Sequence, residues 1–106
     1  MDNIGLVGKE EFSKILISHA QVELVICGHL HRNIRVTVGG RSVMTSPSTA
    51  HAVQLDIAEN AEPMYRMEPA GYLLHWWNGS GLVTHHVPAI TSSGPFPFFD
   101  DSGKLL

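Results

Sequence analysis

Cysteine, basic clusters and long apolar runs are scarce in this 106-residue chain, and each shortage excludes a class of protein. Cys27 is the one cysteine, so an internal disulfide framework is excluded and a reducing, cytoplasmic location is expected. Seven Lys and Arg residues face ten Asp and Glu residues, and without a basic stripe we expect no nucleic-acid partner. The apolar runs are far shorter than the roughly 20 residues that span a bilayer, so we expect no membrane partner.

Three common metal-binding, nucleotide-binding and catalytic motifs are also missing. The sequence has no Cys-x-x-Cys, no glycine-rich phosphate loop and no Gly-x-Ser-x-Gly elbow. Zinc ribbons, dinucleotide binding and serine hydrolysis are therefore not indicated. Histidine is the abundant residue instead, with seven in the chain.

Hydrophobic periodicity predicts one helix followed mostly by strands. Lys9–Ala20 has apolar residues at helical spacing, and Val22–Gly28 is a short β-branched run typical of a strand buried on both faces. Further strands are predicted at 34–38 and 41–45 around Gly39-Gly40, at 52–57, and at 72–77 and 82–90 around residues 78–81. Residues 58–71 are predicted to form a loop, with a short strand at 64–67 as the alternative. From Thr91 onward the composition predicts an irregular Pro/Gly/Ser-rich tail.

This element order predicts an α/β (α+β) fold that is incomplete by itself. A lone helix cannot cover both faces of a strand such as Val22–Gly28. We therefore expect the sheet that contains this strand to have other strands and helices supplied from elsewhere.

His29 and His31 are the strongest metal-ligand candidates. They follow a predicted strand and Gly28 in the run ICGHLHRN. In extended backbone, residues i and i+2 point to the same side, so both imidazoles could reach one site. The carboxyl end of a buried strand is also where α/β sheets bind ligands.

The remaining candidates are weaker. His51 begins a predicted strand, and a site role and a structural role are about equally supported; Arg32 could reach a phosphate through its forked donors or could simply be ion-paired. His85 and His86 are adjacent and face opposite ways in a strand, so surface or hairpin packing is favoured. His75 and His19 are expected to be structural.

Several of these segments together resemble one known family. VELVICGHLHRNIRV, VMTSPSTAHAVQLDI, MEPAGYLLHWW and the late GPFPF are similar to the C-terminal part of calcineurin-like metallophosphoesterases. The resemblance is to the branch that contains cyclic 3′,5′-AMP phosphodiesterases and glycerophosphodiesterases. It implies a four-layer β-sandwich of which this chain supplies the helix, one buried strand and the antiparallel hairpins.

The resemblance also implies a binuclear metal centre that acts on a phosphodiester substrate. Two divalent metals, iron, manganese or zinc, would be held with His29 on one metal and His31 on the other, and His51 would line the substrate pocket. The family also needs an Asp-x-His, a Gly-Asp and a Gly-Asn-His, none of which occurs in this sequence. Met1-Asp2 resembles an internal Met-Asp of the family, so we expect the C-terminal portion of a longer enzyme, inactive alone.

The resemblance divides the chain into three parts. Residues 1–60 would belong to the catalytic domain, 61–92 would form a β-hairpin cap and dimerisation region, and 93–106 would be the tail. Two alternatives remain open. The aromatic-rich second half could be a non-catalytic module that forms a homo-oligomer, or the chain could be a cupin-like mononuclear metal protein, although Ile34, Arg35 and Val36 stand where a cupin would need a glutamate.

Overall fold

A computed structural model of the chain describes residues 5–105 and places helix α1 at Lys9–Ser18. The helix begins after Gly8, which has a left-handed φ of 81° and accepts a hydrogen bond from the Phe12 N–H. It ends at His19, whose N–H donates to the Leu16 carbonyl at 3.3 Å. The helix is thus two residues shorter than predicted. Met1-Asp2, the pair compared with an internal segment of the family, lies outside the described residues.

A three-stranded sheet follows, made of β1 (Leu24–Cys27), β2 (Ile34–Val38) and β3 (Arg41–Thr45). The strand order is β1-β3-β2, with β1 parallel and β2 antiparallel to the central β3. In this register Cys27 and Ile34 are both partners of Thr45. The end of β1, the end of β3 and the start of β2 therefore meet at one edge of the sheet.

The predicted Gly39-Gly40 turn joins β2 to β3 and also contacts the helix. Both glycines have positive φ, 54° and 75°, as a two-residue type I′ connection requires. A Cβ on Gly39 would lie 2.6 Å from the Ser13 carbonyl oxygen and 3.0 Å from the Leu16 Cβ. The helix can pack on this turn because Gly39 has no side chain.

Two smaller antiparallel pairs complete the described structure. β4 (Ala52–Val53) pairs with β5 (Tyr65–Arg66), so the strand predicted over residues 52–57 forms over only two of them. β6 (Gly71–Trp77) pairs with β7 (Leu82–Pro88), which confirms the second predicted hairpin. Its turn is closed by the Asn78 Oδ1, which accepts hydrogen bonds from the Ser80 and Gly81 N–H groups.

The tail has little regular structure, as predicted, apart from one closed turn. An isolated bridge pairs Phe99 with Leu105. Between them Asp100 accepts hydrogen bonds from the Ser102 hydroxyl and from the Ser102 and Lys104 N–H groups. The Ser102 hydroxyl bond is the main cause that holds the pKa of the Asp100 carboxyl below its usual value.

The chain buries little apolar surface. Among residues 5–105 two hydrophobic residues are buried, Leu16 at 4% and Ala52 at 6% exposure. The accessible surface is 8430 Å², whereas a folded monomer of 11.6 kDa would expose about 5,800 Å². The radius of gyration is 18.4 Å, against about 13 Å for a compact domain of this length. The structure is a small mixed α/β unit, in agreement with the expected partial domain.

Strand β1 is only partly covered within residues 5–105. Ile26 is 63% exposed and Cys27 is also exposed. The predicted burial of this strand on both faces requires strands and helices supplied from elsewhere, so it stays a prediction. No helix in residues 5–105 is long and apolar enough to cross a membrane.

The two turn glycines provide a matched test of how α1 packs. Gly39→Ala and Gly40→Ala both place a side chain at positive φ, but only the first meets other atoms within 4 Å. We expect each to lose about 1 kcal/mol from the backbone conformation, and Gly39→Ala to lose a further 1–3 kcal/mol from overpacking. Urea unfolding followed by circular dichroism measures both, and equal midpoints would contradict the packing of α1 on Gly39.

Candidate functional site

The loop of residues 28–33 carries the Gly-His-x-His motif and is anchored at both ends. The Thr45 hydroxyl donates to the Arg32 carbonyl and accepts from the Ile34 N–H at 3.1 Å. At the other end of the loop the Ser46 N–H donates to the Cys27 carbonyl at 3.2 Å. Both ends of the loop are therefore fixed to the carboxyl end of β3.

Strand β4 and the residue before it hold the middle of the loop. The Val53 N–H donates to the Leu30 carbonyl at 3.2 Å, and the Arg32 Nε donates to the Val53 carbonyl. The His31 Nδ1 lies 3.1 Å from the His51 carbonyl oxygen. Backbone and side chain thus connect the loop to β4 on either side of His31.

His29 and His31 have left-handed backbone, with φ of 82° and 56°. The extended backbone assumed from their spacing is therefore wrong. A non-glycine residue in this region costs about 1–2 kcal/mol, and such strain is concentrated at functional sites. The two side chains line different cavities: His29 lies with Phe12, Val25 and Leu30, whereas His31 lies with His51.

The hydrogen bond of His31 determines which ring nitrogen can bind a metal. A carbonyl oxygen can only accept, so the Nδ1 facing the His51 carbonyl must carry the proton. In the neutral ring the Nε2 then keeps its lone pair. Metal-ligating histidines are usually oriented in this way by a carbonyl or carboxylate behind them. The donor chemistry of His31 therefore fits a metal ligand.

His51 lies beside His31 at the start of a row of rings. The ring centroids of His31 and His51 are 4.7 Å apart in an edge-to-face arrangement, and Tyr65 continues the row at 5.2 Å from His51. The predicted site residues His31 and His51 are thus brought together. Tyr65, in a segment predicted as loop or short strand, was not identified from the sequence because nothing local places it against His51.

Arg32 is held by an ion pair rather than pointed at open solvent. Its guanidinium donates to the carboxylate of Glu68, and its side chain is 15% exposed. The same guanidinium also donates to Val53. The ion-paired alternative considered for Arg32 therefore describes its position in this structure. Glu68 is the glutamate of the Glu-Pro segment that carried part of the family resemblance.

An open cavity of about 190 Å³ lies between these elements. Its walls include His31, His51 and His86 together with Ser48, Asn33 and the Arg32–Glu68 pair. His86 was assigned to surface or hairpin packing from the sequence, because His85 and His86 face opposite ways in a strand and cannot easily share a metal. The register places His86 opposite Leu73, on the face that also carries Thr84 and Leu82.

A complete metal site is not formed by the described residues. Among residues 5–105 no group of three or more His, Cys, Asp or Glu side chains is placed to hold a metal ion. A binuclear centre needs several protein ligands for each ion and a bridging group. His29 and His31 would therefore be part of a larger ligand set.

Comparison with known proteins agrees with the family resemblance. The chain is 34% identical over 101 residues to a protein of Arcobacter nitrofigilis described as a probable glycerophosphodiester phosphodiesterase, GpdQ. The match covers 94% of this chain and 37% of that relative, so the chain spans little more than a third of the relative's length. No protein-family profile matches the chain.

Thr45 offers a direct test of how the loop is held. Thr45→Val keeps the shape of the side chain but removes both hydrogen bonds, whereas Thr45→Ser keeps the hydroxyl. We expect amide hydrogen exchange at Ile34 to become about tenfold faster in Thr45→Val, the loss of about 1.4 kcal/mol of local protection. Thr45→Ser should stay within about threefold. Unchanged exchange in Thr45→Val would show that the strand pairing alone fixes the loop.

Proposed function

We propose that this chain forms part of a calcineurin-like metallophosphoesterase that hydrolyses phosphodiesters, either glycerophosphodiesters or cyclic nucleotides. The observation that carries the proposal is the orientation of His31, whose Nδ1 is occupied by the His51 carbonyl so that its Nε2 can bind a metal. The similarity to the Arcobacter relative supports the same chemistry.

The loop geometry does not favour one ion chelated by both histidines. His29 and His31 have left-handed backbone and line different cavities, so the extended geometry expected for chelation is absent. This arrangement argues against the cupin-like alternative. When bound, two divalent ions would supply an activated water and neutralise charge on the phosphoryl oxygens.

The residues of this chain would position and shape the site. The Thr45 and β4 hydrogen bonds hold His31 toward the cavity, and His51 lines the wall where a substrate would lie. The remaining ligands would come from Asp-x-His, Gly-Asp and Gly-Asn-His segments of a longer protein. On this proposal the chain is inactive alone, and its one cysteine continues to favour a cytoplasmic location.

A second role as a dimerisation module is compatible with the first. Tyr72, Leu74 and Trp76 form a stripe on the outer face of β6 and are 46%, 51% and 59% exposed. Contiguous exposed apolar surface of this kind is typical of protein interfaces. We propose that this face contributes to a homo-oligomer.

The phosphodiesterase proposal is tested by restoring the missing ligands. The part of the Arcobacter relative that lies outside the matched region is fused to this chain, and hydrolysis of bis(p-nitrophenyl) phosphate is measured with Mn²⁺. We expect activity in the fusion and none above the blank for the chain alone. His31→Ala in the fusion should lower kcat/KM at least about 100-fold, because loss of a ligand exceeds the 10- to 100-fold effect of an outer-shell change.

His19→Ala is the control for this experiment, because His19 lies at the exposed end of α1, away from the cavity. It should leave kcat/KM within about twofold of the unsubstituted fusion. Equal activity of the chain alone and the fusion, or full activity in His31→Ala, would contradict the proposed function.

A further inference from the structure

His86 reaches the site cavity because Gly71 leaves room for its ring. Gly71 is buried at the start of β6, and a Cβ there would lie 2.7 Å from the His86 Nε2. The two residues are on the inner face of the hairpin, where His86 is opposite Leu73. The ring of His86 therefore occupies the space that a side chain at position 71 would take.

The same glycine connects the hairpin to the wall of the cavity. The Gly71 N–H donates to the Ser48 carbonyl at 3.1 Å, and Ser48 lines the cavity with His31 and His51. Three histidines from three separate segments thus line one space. They are not close enough to form a metal-binding group within residues 5–105, so His86 is not a third ligand beside His31.

The charges around the cavity favour a neutral polar group over a second phosphate. Arg32 and Glu68 neutralise each other in their ion pair, so this pair leaves no net positive charge to hold a second phosphate. The other polar walls are imidazoles, the Ser48 hydroxyl and the Asn33 amide, which both donate and accept hydrogen bonds. Such walls suit hydroxyl groups.

The volume of the cavity is also large enough for a small group that carries hydroxyls. Its volume is about 190 Å³, the share of about six water molecules in the liquid. A group of three carbons and three oxygens is smaller than this and can enter the cavity. The alcohol part of a small hydroxylated phosphodiester could therefore occupy it while the phosphorus lies toward His31.

We propose that His86 is a substrate-binding residue that recognises the hydroxyl-bearing alcohol group of the phosphodiester. The inference rests on the proposed function for the phosphoryl part of the site, but the alcohol subsite is made entirely of described residues of this chain. His86 and Gly71 act together, since the glycine provides the space in which the imidazole reaches the cavity.

The first test measures binding without metal or hydrolysis. The full chain, with its histidine rings labelled with ¹⁵N, is titrated with glycerol 3-phosphate and, in parallel, with inorganic phosphate. We expect glycerol 3-phosphate to shift the ring signals of His86 and His51 but not those of His85, and phosphate to leave His86 unshifted. Equal shifts at His86 with both probes would indicate an anion site and overturn the proposal.

The second test separates alcohol recognition from catalysis in the active fusion. His86→Ala should raise KM for glycerophosphoethanolamine about three- to tenfold, the effect of losing one neutral hydrogen bond. For bis(p-nitrophenyl) phosphate, which has no hydroxyl groups, KM should stay within about twofold, and kcat for both esters should change little. A parallel rise in KM for both esters would overturn the alcohol assignment.

Matched substitutions control for the fold of the hairpin. Gly71→Ala should reproduce the KM effect of His86→Ala by displacing the ring, whereas Gly81→Ala meets nothing within 4 Å and should not. His19→Ala should also leave both KM values unchanged. If the fusion is inactive but the ring shifts are specific, the alcohol subsite is supported and the phosphodiesterase proposal fails. If the fusion is active but His86→Ala leaves both KM values unchanged, the phosphodiesterase proposal is supported and the alcohol subsite fails.

Discussion

The hydroxyl of Thr45 is the contact on which the site geometry depends. Strands β1 and β2 lie on opposite sides of β3, so the loop that joins them must cross the end of β3. Thr45 is the last residue of β3 and hydrogen-bonds to both Arg32 and Ile34 as the chain crosses. The short loop makes this crossing with left-handed backbone at His29 and His31, a conformation that costs free energy.

Local features of the fold could be predicted from the sequence. The two hairpins were identified because their turns are encoded by the residues within them, Gly39-Gly40 in one and the Asn78 side chain in the other. The parallel pairing of β1 with β3 was not specified by local residues. The short length of β4 and the exposure of Ile26 also depend on which surfaces are available to cover them, and periodicity does not carry this information.

Candidate site residues were identified from the sequence, but their surroundings were not. His31 and His51 were identified from motif spacing and family resemblance, and the structure places their rings together. The partners that shape the cavity are distant in sequence: Glu68 is 36 residues from Arg32, and His86 is further still from His31. These contacts arise from the path of the chain between strands, so a short motif could not reveal them.

The proposed metal site and the cavity beside it differ in how many of their residues this chain supplies. In the proposed function, metal binding would require ligands beyond His29 and His31, because residues 5–105 form no metal-binding group. The open cavity beside that loop, in contrast, is lined by residues of this chain and is held by hydrogen bonds between loops rather than by a hydrophobic core. Two hydrophobic side chains are buried among residues 5–105, so covering exposed apolar surface such as Ile26 would add packing. The shape of the cavity should therefore become more rigid when this surface is covered.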